Sequence, residues 1–340
     1  MFVMKSFGTL SMKGDVCIFV MSRSLSDLSM SWQLFFNIIF IYLGVLVSVA
    51  YFTLMERKCL SSLGIRLGPD KISFAGLAQP ISDGMKLFTK EFVAPSNSAK
   101  LGFFLIPCVA MLLCFLGWQI YPCSSTSPSM GNDILFFLVV SSVNAHVAIM
   151  SGWTSSSKYA SVGGVRGFAQ VISYEICLSI TLVAVMFFSG SMSFFSLSDS
   201  GWSMWWGLYC APVAALWVVI CLAEANRAPF DLVEAESELV SGFNTEFSAG
   251  SFAGLFIAEY GMILLMCLVT VWSFFQNTCV WTVLGSVWMF TKILMFTFFF
   301  IWTRASFPRF RYDQLMMAAW KTLLPFVLGI YCVFFFIMKI

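Results

Sequence analysis

The stretch 224–246, EANRAPFDLVEAESELVSGFNTE, holds Glu224, Asp231, Glu234, Glu236, Glu238 and Glu246, six of the chain's 17 acidic residues, against one base, Arg227. Carboxylates crowded together between two long apolar segments raise one another's proton affinity, so such a cluster can take up and release protons. With Pro229 as the first helical residue, Asp231, Glu234 and Glu238 fall at i, i+3 and i+7 on one face, while Glu236 points elsewhere. The same acids also suit a first turn that complements the helix dipole, followed by a solvated loop. Spacing alone leaves both readings open.

The elements that must hold these acids are membrane spans. The chain has 340 residues, 59% hydrophobic and only 11% charged, with a mean hydropathy of +0.88. Soluble domains carry about a quarter of their residues as charges. The predicted class is all-α: a polytopic membrane helix bundle with about eight transmembrane helices and an amphipathic helix in its first loop. Apolar runs cover 32–55, 101–120, 134–150, 168–189, 208–223, 250–274, 281–302 and 322–338, and about 20 helical residues cross a hydrocarbon core. Residues 1–31, with one short apolar run, read as an extension of unknown role, and 32–340 as a single integral-membrane domain. No internal repeat stands out.

The connections after spans one, three, five and seven hold all the loop bases, and those after spans two, four and six hold none. That alternation predicts the odd loops on the cytoplasmic or matrix side and both termini opposite. In the first loop, Ile81, Met85, Phe88 and Phe92 recur at helical spacing, with Asp83, Lys86 and Lys90 on the far side and Pro80 at the start. The pattern is a short amphipathic helix, either in the interface plane or with a solvated face.

Charges inside spans are costly, about 3 kcal/mol or more at mid-membrane, so Glu175, Glu259 and Lys292 are expected to face the bundle interior with partners. Carboxylates in series are how a buried proton route is built, and the two glutamates and the loop cluster fit one. His146, the only histidine, reads as a neutral imidazole bonded to a neighbouring carbonyl or hydroxyl. The net charge of +2 and the scattered bases give no track for nucleic acid. Eleven cysteines without a C-x-x-C read as packing residues, so no metal site or iron–sulfur framework is expected.

Longer motifs narrow this further. Glu56-Arg57-Lys58, Arg66-x-Gly68-Pro69, Gly76-Leu77-Ala78-Gln79-Pro80 and the run 83–91, DGMKLFTKE, resemble the first matrix loop of subunit 1 of NADH:ubiquinone oxidoreductase, respiratory complex I. The segment 223–246 resembles that family's AE-x-NR-x-PFDL-x-E-x-ESELVSGFN-x-E, and 167–175, GFAQVISYE, and 307–314, FPRFRYDQ, match two further blocks. The resemblance implies a subunit that joins the peripheral and membrane arms and forms most of the quinone cavity. It implies that Glu56, Arg57, Arg66, Asp83 and Lys86 line or support that cavity, with Arg304 nearby. It maps an acidic proton path onto Glu175, Glu224, Glu234, Glu236, Glu238 and Glu259. Ubiquinone is then the bound substrate, while NADH, FMN and iron–sulfur clusters belong to partner subunits. The partners implied are the quinone-module subunits of the peripheral arm, small neighbouring membrane subunits and membrane lipid. Gly64 stands where the family usually has Gln, and residues 1–31 have no counterpart.

The 38 phenylalanines and the motif wording look like an organelle-encoded protein of the mitochondrial inner membrane, with a bacterial plasma membrane as the alternative. Two other functions use the same residues. One is an ion-coupled secondary transporter or channel, although the related halves typical of transporters are missing from the sequence. The other is a passive anchor, with pumping done elsewhere.

Overall fold

The computed structural model describes residues 14–121, 131–190, 192–194, 211–233, 242–275 and 283–339; within these, the side chains of 14–34, 188–189, 283–284 and 334–339 are left aside. The chain divides into two compact units, Met1–Gly44 and Val45–Ile340. The second unit carries every candidate site residue.

All described regular structure is helical. Helix α1 covers Gly14–Leu63, α2 Gln79–Thr89, α3 Lys100–Trp118, α4 Asp133–Thr154, α5 Lys158–Ser189 and α6 Ala211–Glu224. Helix α7, Ala249–Thr270, runs on into a π-helical turn, Val271–Phe275. Helix α8 is Val283–Ser306. Helix α9, Tyr312–Met317, passes through a second π-helical segment, Ala318–Leu323, into α10, Leu324–Lys339. Among the described residues, seven helical stretches are long and apolar enough to cross a membrane, and α6 is a shorter apolar helix at the position of the fifth expected span.

Several boundaries differ from the apolar runs, for physical reasons. Helix α1 begins well before the first run, so the short apolar run of the extension is helical too. Helix α5 begins at Lys158, well before its apolar run, because its first turns are built from small residues that pack on α4. A Cβ on Gly152 would lie 2.5 Å from the Ala160 carbonyl oxygen, and one on Gly164 would lie 2.7 Å from that of Ala148. Close backbone approach through small residues is how membrane helices gain packing without a hydrophobic driving force.

Helix α3 packs on α4 and α7, and α5 on α4, α6 and α10. Helix α7 is the most enclosed, buried without a break from Tyr260 to Trp272. Gly261 allows α3 in: a Cβ there would collide with Cys114 Sγ, and Trp118 Nε1 donates to the Gly261 carbonyl at 3.1 Å. Phe103 stacks on Phe247 with centroids 4.3 Å apart. These rings, with Val233, Phe243 and Leu255, form a core beneath the loop that follows α6.

Many polar groups in the spans find partners within the fold, as hydrocarbon requires. Hydroxyls of Ser48, Ser141, Thr181 and Thr270 donate to carbonyls one turn back. His146 Nδ1 lies 3.0 Å from the Ser142 carbonyl oxygen, a backbone partner of the kind expected for it. Lys292 meets backbone instead of an acid: its Nζ donates to the Phe275 carbonyl at the end of the first π-helical turn and lies over the Trp288 ring.

Candidate functional site

Glu56 stands near the end of α1 and is only 5% exposed. Desolvating a carboxylate costs several kcal/mol unless opposite charge and hydrogen bonds replace its water. Both replacements are present. The Oε1 atom accepts from Arg227 Nη1 at 3.3 Å and from Arg304 Nη1. The Oε2 atom accepts the Tyr260 hydroxyl at 2.6 Å. The Arg227 guanidinium also lies 4.3 Å from the centroid of the Tyr260 ring, a cation–π contact. Residues from α1, the loop after α6, α7 and the last turn of α8 therefore converge on one carboxylate. Arg227 and Arg304, which follow the fifth and seventh expected spans, thus meet at Glu56, which follows the first.

Arg227 is brought there by a loop that is not helical. The local pattern predicts a helix from Pro229; instead the described residues 225–233 form turns and bends. The Phe230 N–H donates to the Arg227 carbonyl at 2.8 Å and the Leu232 N–H to that of Phe230 at 3.0 Å. The physical reason is tertiary. Buried Gln170 of α5 donates through Nε2 to the Ala223 carbonyl at the end of α6 (2.9 Å) and to the Phe230 carbonyl (2.8 Å), the latter of which a helix starting at Pro229 would direct elsewhere. On the outer side, Phe310 donates its N–H to the Pro229 carbonyl at 3.1 Å and stacks on Phe230, and Arg309 Nη2 pairs with Asp231 Oδ2 at 3.2 Å. The shared face expected for Asp231, Glu234 and Glu238 rested on that helix, and Asp231 instead holds the 307–311 segment. Glu234, Glu236 and Glu238 lie outside the described residues.

The other expected cavity residues divide into two groups. Arg57 Nη1 pairs with Asp83 Oδ2 at 2.7 Å, and Gln79 Nε2 donates to Asp83 Oδ1 at 2.9 Å. That pair joins the end of α1 to the amphipathic helix α2, but with side chains 53% and 37% exposed it contributes at most about 1 kcal/mol to stability. Arg66 and Lys86 are exposed and, among the described residues, join neither cluster. Helix α2 starts at Gln79 with Pro80 in its first turn, as its sequence pattern indicates. Its Ile81, Met85 and Phe88 are 63%, 64% and 75% exposed, an apolar face left uncovered by the described residues.

Among the acids expected to carry protons, Glu175 on α5, Glu224 at the end of α6 and Glu259 on α7 are half-buried. Glu224 Oε2 is enclosed and has no hydrogen-bond partner among the described residues, and Glu224 lies close enough to Glu175 for the two to interact electrostatically. An unsatisfied buried polar atom costs stability. A cavity of about 350 Å³ lies under the same loop, bordered by Tyr174, Phe230, Phe310 and Leu315. None of the expected quinone-cavity residues borders it. Among the described residues, no group of three or more His, Cys, Asp or Glu side chains is arranged to hold a metal ion.

Sequence reasoning passed over Tyr260 and gave no site role to Arg227. A signal existed for each. A tyrosine beside a glutamate inside an apolar span needs an acceptor for its hydroxyl, and a lone arginine in an acidic loop needs a carboxylate.

Residues 36–335 match the family model described as NADH dehydrogenase. The chain is 43% identical over 296 residues to NADH-ubiquinone oxidoreductase chain 1 of Aedes aegypti, covering 87% of this chain and 93% of that one. It is 44% identical to the protein of the same name from Bradypus variegatus, over 86% of this chain and 93% of that one. With the Chondrus crispus protein of that name it shares 41% identity, over 87% and 94% of the two chains.

Proposed function

Since the chain belongs to the NADH dehydrogenase family, as the chain 1 membrane subunit of NADH:ubiquinone oxidoreductase, we propose that its Glu56 cluster forms one wall of the pocket in which ubiquinone is reduced. The enzyme's substrate is ubiquinone, and the subunit is a multi-pass membrane protein. The observation that carries the proposal is the convergence of two guanidiniums and a phenol on one buried carboxylate, at the basic end of an apolar bundle. Reduction of a quinone consumes two electrons and two protons and passes through anionic oxygen. Cations held in place without reorganisation stabilise that charge, and acids nearby can return the protons.

The electrons come from NADH through redox groups in partner subunits, those of the peripheral arm. Helix α2, with its uncovered apolar face and its Arg57–Asp83 tie to α1, is the surface that the quinone-module subunits would cover. Arg66 and Lys86, exposed on the same first loop, would then support the pocket from that side. Charge arriving at the quinone acts on Glu56 through Arg304. It passes by way of Arg227 into the segment that carries Glu234, Glu236 and Glu238, and from there to Glu224, Glu175 and Glu259. The coupling is electrostatic, one carboxyl altering the proton affinity of the next. The compartment that fits the phenylalanine-rich sequence is the mitochondrial inner membrane.

A photoreactive ubiquinone analogue tests the pocket. Irradiation of the assembled enzyme is expected to label the first loop between Glu56 and Lys100, and a quinone-site inhibitor is expected to protect it. Labelling confined to other subunits would remove this chain from the pocket and favour a passive anchor.

A further inference from the structure

Tyr260 lies deep in α7, 5% exposed, and its phenol bonds Glu56 Oε2 while both guanidiniums approach Oε1. That division of the carboxylate has a consequence for Arg304. An arginine facing a free carboxylate settles into a bidentate fork that engages both oxygens. Here the second oxygen is taken, so Arg304 meets Glu56 through Oε1 alone. Its side chain is 37% exposed, against 12% for Arg227, so it is the cation of the cluster that a ligand can reach.

The phenol is itself held from several sides. Its ring packs edge-on against Phe52 with centroids 5.5 Å apart, lies 4.9 Å from Phe256 and carries Arg227 over its face. A ring fixed in this way cannot swing its hydroxyl elsewhere without leaving three contacts. Its position along the chain is set by Gly261 and Trp118, which draw α7 against α3.

From this arrangement we infer that Tyr260 is a positioning residue of the quinone pocket: by occupying Glu56 Oε2 it keeps Arg304 on Oε1 and leaves the outer guanidinium donors turned toward the quinone headgroup. The inference rests on the quinone-pocket reading. It assigns Tyr260 an action through Glu56 and Arg304, with no contact to substrate.

The test is a double-mutant cycle on the assembled enzyme, read as KM for a short-chain ubiquinone. Tyr260→Phe removes one oxygen and keeps the ring, the aromatic contacts and the cation–π face. It is expected to raise KM about fivefold, the loss of one ground-state contact, with unchanged enzyme content and unchanged NADH:ferricyanide rate. In a Glu56→Gln background the same substitution is expected to add little, because two residues acting through one contact are not additive. Phe52→Leu, which disturbs the packing and spares the hydroxyl, should leave KM unaltered. If the phenylalanine variant does not assemble, Glu56→Asp serves instead: its shorter arm withdraws from the phenol, and KM should again rise.

A native KM in Tyr260→Phe, or additive effects in the cycle, would overturn the inference. If Glu56→Gln and Arg304→Lys raise KM while Tyr260→Phe does not, only the inference falls. If none of the three moves KM, the quinone-pocket reading falls with it.

Discussion

Glu56→Gln is expected to lower NADH:ubiquinone turnover of the assembled enzyme about 10- to 100-fold, within the range for loss of one preorganised electrostatic group, while NADH oxidation by ferricyanide continues at the native rate. The amide keeps the shape of the carboxylate. It removes the one negative charge that Arg227 and Arg304 share. Losing one member of a buried charge set costs about 3–5 kcal/mol when the others remain. Part of that cost is met by Arg304 turning outward, since it is the more exposed of the two. An Arg304 that has turned away no longer faces the headgroup in the same geometry. Ferricyanide separates this effect from damage to the NADH side, because it takes electrons before they reach the membrane. Quinone turnover at the native rate would show that the cluster is a structural tie and nothing more.

The second large effect is expected at Glu224. This residue ends α6 with one carboxyl oxygen enclosed and without a partner among the described residues, in electrostatic reach of Glu175. Glu224→Gln retains the volume and removes the exchangeable proton. Loss of a proton-transfer group lowers rates by about 10²–10⁴ where that transfer limits turnover. Turnover coupled to proton translocation should therefore fall at least about tenfold in sealed vesicles, with the ratio of protons moved to electrons passed reduced and ferricyanide reduction intact. A native proton-to-electron ratio would remove Glu224 from the path and return it to a packing role.

Much of the bundle was legible because membrane helices declare themselves. A run of about 20 apolar residues has few other uses, and the absence of bases from alternate loops placed the count near eight. Helix α2 was equally open to reading, since Ile81, Met85 and Phe88 recur at a helical period with Pro80 at their start. The first turns of α5 were not, because Gly163, Gly164 and Ala160 are shaped for close backbone contact and carry little hydropathy. The loop after α6 misled for a related reason. A proline favours the first turn of a helix only where nothing else claims the backbone, and here Gln170 of another helix captures the Phe230 carbonyl and ties it to the end of α6.

The site was legible as residue types and not as an arrangement. Glu56 and Arg304 stand out as charges at the ends of apolar runs. Yet Glu56 is 171 residues from Arg227, 204 from Tyr260 and 248 from Arg304 along the chain. Spacing within a helix face says nothing across such separations. Tyr260 was hidden by its own suitability, since an aromatic residue in an apolar helix needs no explanation until its hydroxyl is followed to an acceptor.

The most direct measurement is a density map of the assembled enzyme with a quinone-site inhibitor bound. The inhibitor's headgroup or tail is expected in contact with the exposed side of Arg304 and with the segment joining α1 to α2, and Glu56 is expected to be bonded behind Arg304. An inhibitor seated with no contact to either, or a Glu56 cluster sealed beneath lipid with no opening toward the partner subunits, would contradict a quinone pocket built on that carboxylate.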